Sequence, residues 1–184
     1  RIALKLCDYV VTESGFGADM GAEKFFNIKC RVSGLKPDAA VVVATIRALK
    51  VHSGRFRVIP GKPLPEEMLK EDVSAIEEGI GNLRRHIENV GKFGVPVVVA
   101  LNRFPTDSDA EVNAVIELAR ECGAFDAVVS DVHARGGEGG AALAEAVVRA
   151  CEEIPANFST LYPDDMSIKD KIKTVCTEIY RAEG

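Results

Sequence analysis

The sequence predicts an α/β fold, a mostly parallel sheet with helices on both faces. Two apolar β-branched runs, AAVVVAT at residues 39–45 and VPVVVAL at 95–101, carry the prediction. They lack the alternation of a half-exposed strand, which fits strands covered on both faces. Stretches with helical periodicity separate the runs, and connections of that length join parallel neighbours by right-handed crossovers. The chain of 184 residues, 47% apolar and 28% charged, is long enough to bury about 70% of its unfolded surface.

The elements follow in order. Residues 8–13, with Tyr9-Val10-Val11, read as a first short strand, and a glycine-rich turn leads from it into a helix. Residues 39–45 are the second strand. A long charged helix spans 68–90, where Gly79 and Gly81 are expected to weaken or split it. Residues 95–101 form the third strand. Ser108, with Glu111 three residues on, forms a capping box. Val112, Val115, Ile116 and Ala119 then make a one-sided apolar stripe, and Gly123 ends that helix. Residues 125–129 form a fourth strand. Leu143, Ala146, Val147 and Ala150 repeat the helical spacing. Ile168, Ile172, Val175 and Ile179 mark a last amphipathic helix whose apolar face needs a cover. The proline-rich stretch 54–65 (GRFRVIPGKPLP) is expected to be an exposed loop.

Charge and composition exclude several classes. With 23 Lys and Arg against 28 Asp and Glu, the net charge is −5, which argues against a large nucleic-acid footprint. The longest apolar runs, 39–44 and 95–101, fall far short of the roughly 18 residues of a membrane span. No signal-peptide pattern opens the chain. Arg1 is followed at once by an apolar pattern, so the chain is read as a piece of something longer, in the cytoplasm. Cys7, Cys30, Cys122, Cys151 and Cys176 are scattered without a C-x-x-C pair. They are expected to be free buried thiols. Three scattered histidines make no metal set. The cluster Arg84-Arg85-His86 is read as a solvated helix face.

Ligands of open parallel sheets collect at the carboxyl ends of strands, and four such ends carry candidates. After the first lies TESGFGADMG, with the spacing G-x-G-x-x-x-G. That spacing misses the dinucleotide fingerprint by one position and leaves two readings open, an anion cradle or a plain tight turn. After the second strand, Arg47 and Lys50 are either phosphate ligands or ordinary surface cations. Gly61-Lys62 is no Walker A loop, since Pro63 stands where Ser or Thr would bind magnesium. After the third comes NRFPTD, in which Asn102 and Asp107 suit turn and cap roles, while Phe104 needs something to stack on. After the fourth comes HARGGEGG, whose glycines admit either a flat ligand or another backbone.

Taken together, TESGFGADMGAEKFFNIKCR, ATIRALKVHSG, NLRRHIENVGKFGVPVVVALNRFPTD and HARGGEGG resemble the formate–tetrahydrofolate ligase family, with similarity from Ile2 to Tyr180. The resemblance implies a P-loop NTPase-like α/β core segment and an ATP-dependent ligation through formyl phosphate to 10-formyltetrahydrofolate. ATP with Mg2+, formate and tetrahydrofolate are then substrates, none held tightly by this segment. Phe16 and Gly17 match the catalytic loop facing formyl phosphate. Gly21, expected to open the following helix, and Arg47 fall to the nucleotide. Phe104 and Pro105 match the wall on which the pterin stacks. His133 matches the opposite wall, where the family generally has tryptophan, and a smaller π surface should stack more weakly.

The resemblance also divides the chain. Residues 1–66 would end the nucleotide and formyl-phosphate core, and 67–184 would form a folate-binding lobe with a C-terminal helix. The loop 55–65 is longer than in many bacterial relatives. The family's P-loop lies upstream of the matched segment and its C-terminal part downstream, so the segment alone is expected to be inactive. Its partners would be the remaining domains and further copies of the chain, with neither nucleic acid nor membrane. Two alternatives stay open: a non-catalytic module that keeps the fold, and an unrelated α/β nucleotide binder.

Overall fold

Valine-rich strands pair in a single direction in the computed structural model, which describes residues 2–183. The strands are β1 (Ala40–Ala44), β2 (Val97–Asn102) and β3 (Asp126–Ser130). They form a parallel sheet in the order β1-β2-β3. The central strand shows why its sequence lacks alternation. Val97, Val99 and Leu101 enter one apolar cluster and Val98 enters another on the opposite face. Burying each such side chain stabilises the fold by roughly 1.5–3 kcal/mol.

Helices lie on both faces, though Val41 and Val43 of β1 remain exposed. The first helical stretch, α1, spans residues 18–33 and is built largely of wide π-type turns, Ala18–Ala22 and Phe25–Cys30. The others are α2 (Ile46–His52), α3 (Val73–Gly91), α4 (Asp109–Glu121), the short α5 (Val132–Arg135), α6 (Ala141–Glu153) and α7 (Ile168–Glu178). Side chains of α1 to α4 and the end of α7 share the larger cluster. On the other face, Ala146 and Ala150 of α6 pack on Val98.

Two expectations need correction. Residues 8–13 are irregular and exposed, so the sheet has three strands and not four. Tyr9-Val10-Val11 has the composition of a strand, but a strand exists only through a neighbour's ladder, and none lies beside it among the described residues. The second correction concerns α3, which runs unbroken from Val73 to Gly91 behind an Asp72 cap that accepts the Ala75 N–H at 2.9 Å. Gly79 is a packing residue. A Cβ there would stand 1.9 Å from the Leu49 carbonyl oxygen, so α2 and α3 meet backbone against backbone.

The Ser108–Glu111 capping box is present at the start of α4. Gly123 follows that helix with a φ of 95°. The last helix packs Val175 inward and Ile179, just past its end, is buried, while Ile168 and Ile172 are exposed. The loop 54–65 is irregular and largely exposed, and Arg55 fastens its base to Glu78 and Asp72. No helix among the described residues is long and apolar enough to cross a membrane.

Candidate functional site

Parallel pairing puts the carboxyl ends of all three strands at one edge. Ala44 stands opposite Leu101, and Asn102 opposite Ser130. The segments that follow, 45–47, 103–108 and 131–140, therefore leave the sheet side by side. This is the edge at which α/β folds collect ligands.

The middle segment is the best anchored. The Arg103 N–H donates to the Ser130 carbonyl at 3.3 Å. Asp107, nearly buried, closes the next turn in both directions. Its carboxylate accepts the Phe104 N–H at 2.8 Å, and its own N–H donates to the Phe104 carbonyl at 3.0 Å. Ser108 then caps α4, and Glu111 accepts the Ser108 N–H at 3.1 Å. Phe104 and Pro105 thus stand on a turn whose backbone is held at both ends.

Arg47 and Lys50 leave the first turns of α2 in different directions. The Arg47 guanidinium lies over the Phe104 ring, its carbon 3.8 Å from the centroid. Its Nη2 donates to the Thr106 hydroxyl at 3.2 Å, and its Nε is buried without a partner. Lys50 is no surface cation. It is 2% exposed, donates to the Met68 and Lys70 carbonyls at 3.0 and 2.7 Å, and pairs with the fully buried Glu111. Burial pushes the Glu111 carboxyl up. Its bonds from Lys50 and from the Asp72 and Ser108 N–H groups outweigh that, and hold it below the usual carboxylate range. All three ammonium hydrogens of Lys50 are used, so it holds no phosphate.

His133 is exposed on α5. The glycines that follow it serve a close backbone approach. A Cβ on Gly139 would stand 2.3 Å from the Asp131 carbonyl oxygen, and the Asp131 N–H donates to the Gly139 carbonyl at 3.0 Å. Gly136 has a φ of 57°. Residues 132–140 are therefore two short helical turns folded on each other, not a loose loop.

The glycine loop 13–17 precedes α1 and follows no strand. Gly15 and Gly17 have φ of 100° and 74°, and Gly17 caps the helix. Phe16 between them is 95% exposed. Gly21 does not open the helix, which starts at Ala18. It lies buried, its N–H donates to the Gly17 carbonyl, and a Cβ would stand 2.5 Å from the Gly15 carbonyl oxygen. Beside this loop is an open concavity of about 550 Å³ lined by Glu13, Ser14, Gly15, Lys24, Phe25, Ile28 and Lys29. Sequence reasoning missed Lys24 and Lys29. Their spacing from Ser14-Gly15 across the start of α1 was the available signal.

Other expectations resolve individually. Of the cysteines only Cys30 is buried; Cys7 and Cys176 are exposed, and all five are free. His86 is half-buried and not solvated, and burial lowers its pKa from the ordinary value. The structure brings Arg47 onto Phe104 and Thr106. Among the described residues, no ring–ring contact involves Phe16 or Phe104.

A family model described as formate–tetrahydrofolate ligase matches residues 1–184. Proteins named formate–tetrahydrofolate ligase are similar over the same span. That of Desulforamulus reducens is 55% identical over 184 residues, which cover all of this chain and 32% of the relative. That of Saccharopolyspora erythraea is 54% identical with the same coverage. That of a Roseiflexus species, strain RS-1, is 54% identical over 181 residues, 98% of this chain. The chain thus spans 32% of the length of these relatives. With a family model covering its whole length and relatives identical at more than half of its positions, the chain belongs to the formate–tetrahydrofolate ligase family.

Proposed function

We propose that this chain supplies the folate platform and the formyl-phosphate loop of an ATP-dependent formate–tetrahydrofolate ligase. The observation that carries this is the unbroken family match over residues 1–184. In the reaction, a formate oxygen attacks the γ-phosphorus of ATP, giving formyl phosphate and ADP. The N10 amine of tetrahydrofolate then attacks the formyl carbon and phosphate leaves.

On this reading Phe104 and Pro105 take one side of the pterin and His133 the other. Support comes from the clamped turn under Phe104 and from the shared edge at which both segments leave the sheet. Phe16 and Gly17 face the reacting phosphoryl group. Support here is the exposure of Phe16, the helix start at Ala18, and the lysines 24 and 29 beside the loop. Preorganised N–H donors and cations would stabilise charge developing on the phosphoryl oxygens. Gly21 acts through packing, keeping the loop against α1 beside the nucleotide. Residues 1–66 would then carry the nucleotide and formyl-phosphate part and 67–184 the folate part of one continuous sheet and core, with the rest of the ligase and further copies of it as partners.

A second reading, a non-catalytic module that keeps the fold, is favoured by His133 at the place of the usual tryptophan. One experiment separates the two. A full-length relative, such as that of Desulforamulus reducens, is rebuilt with this chain in place of its matching third and assayed for ADP formation dependent on formate and tetrahydrofolate. Turnover within about tenfold of the parent is expected, and the isolated chain is expected to show none. Loss of turnover in a folded chimera supports the module reading.

A further inference from the structure

The cation over Phe104 has no place in the reading above, and it restricts what Phe104 can do. Arg47 lies in the first turn of α2, behind a Thr45 cap whose hydroxyl accepts the Ala48 N–H at 3.2 Å. Phe104 sits on the turn closed by Asp107. Neither backbone is free to carry its side chain away. One face of the ring is covered at 3.8 Å by the guanidinium, whose Nη2 is tethered by donating to the Thr106 hydroxyl at 3.2 Å.

We propose that Arg47 is the positioning residue of the folate platform and not a phosphate ligand. It fixes the plane of Phe104 and leaves a single face open to a flat ring. A guanidinium on one face also draws π density toward itself, which lowers the repulsion between the open face and a second electron-rich ring, such as a reduced pterin. The inference rests on the pterin stacking on Phe104, so its test must separate the two.

Arg47→Gln, Arg47→Lys and Phe104→Ala are made in the full-length chimera, and KM is measured for tetrahydrofolate and for ATP in turn. KM does not depend on the fraction of active protein, so a partly unfolded variant still reports. Arg47→Gln should raise KM for tetrahydrofolate by about 3- to 30-fold and leave KM for ATP within about twofold, the range of one cation–π contact. Arg47→Lys should recover part of the loss, since an ammonium keeps the charge but not the flat stack. A rise in KM for ATP alone, or no change in either, overturns the proposal. If Phe104→Ala raises KM for tetrahydrofolate and Arg47→Gln does not, only the positioning role fails. If Phe104→Ala also leaves it unchanged, the folate platform itself is wrong.

Discussion

Lys50 of α2 and Glu111 of α4 form an ion pair inside the protein, with Glu111 fully buried and also accepting the Asp72 N–H at 2.9 Å. The pair joins the segment after β1 to the segment after β2, and so ties Arg47 and Phe104 to one frame. Removing one partner strands a buried charge. Lys50→Met should cost about 3–5 kcal/mol, measured by urea unfolding. The double variant K50M/E111L should cost less than the sum of the single changes, because it removes both charges together. A purely additive cycle would show that the pair does not couple.

The glycines of α3 should respond in opposite directions. Gly81 has open space around it, so Gly81→Ala should stabilise by about 0.5–1 kcal/mol through helix propensity. Gly79 faces the Leu49 carbonyl. Gly79→Ala should therefore destabilise by about 1–3 kcal/mol through overpacking, despite the same propensity gain. Thermal unfolding of the two variants checks the sign of each.

Stability should fall with acid in two windows. Burial lowers the His86 pKa below its ordinary value of 6.5. The unfolded chain then binds a proton before the folded one does, and stability falls as pH drops below about 6.5. Glu111 and Asp126 are both held below the usual carboxylate range. In each, burial is outweighed by bonds, from Lys50 and two N–H groups for Glu111 and from Arg120, the Ala127 N–H and Arg149 for Asp126. Their contribution is present above the ordinary carboxylate pKa of about 4 and is lost as pH falls through the lower folded values. Urea midpoints across pH 3–8 measure both windows, and His86→Asn should remove only the upper one.

Val41 and Val43 of β1 and Ile168 and Ile172 of α7 are exposed apolar side chains. The isolated chain should therefore self-associate as its concentration rises. Val43→Lys should shift sedimentation toward the monomer. A chain that stays monomeric at high concentration would contradict this.

Much of the fold was legible because it is local. The runs VVV at 41–43 and 97–99 both lie in strands, but only the second is covered on both faces; Val41 and Val43 of β1 are exposed. Ser108 and Glu111 announce a helix start through contacts three residues apart. What failed was long-range. The segment 8–13 has the composition of a strand, yet no neighbour among the described residues pairs with it. Gly79 is a weakness by helix propensity alone, and its value lies in Leu49, on another helix. Neither reading of Lys50, phosphate ligand or surface cation, survives, because its partner Glu111 is remote in sequence. The candidate site divides the same way. Phe104 could be marked as a ring in need of a partner, whereas its contact with Arg47 exists only once β1 and β2 are paired.

The most direct test of the account is a crystal structure of the full-length chimera with tetrahydrofolate and ATP bound. The pterin should lie on the face of Phe104 opposite Arg47, with His133 across the ring and the phosphates near Gly17. A pterin bound away from Phe104, with phosphate on Arg47 instead, would contradict it.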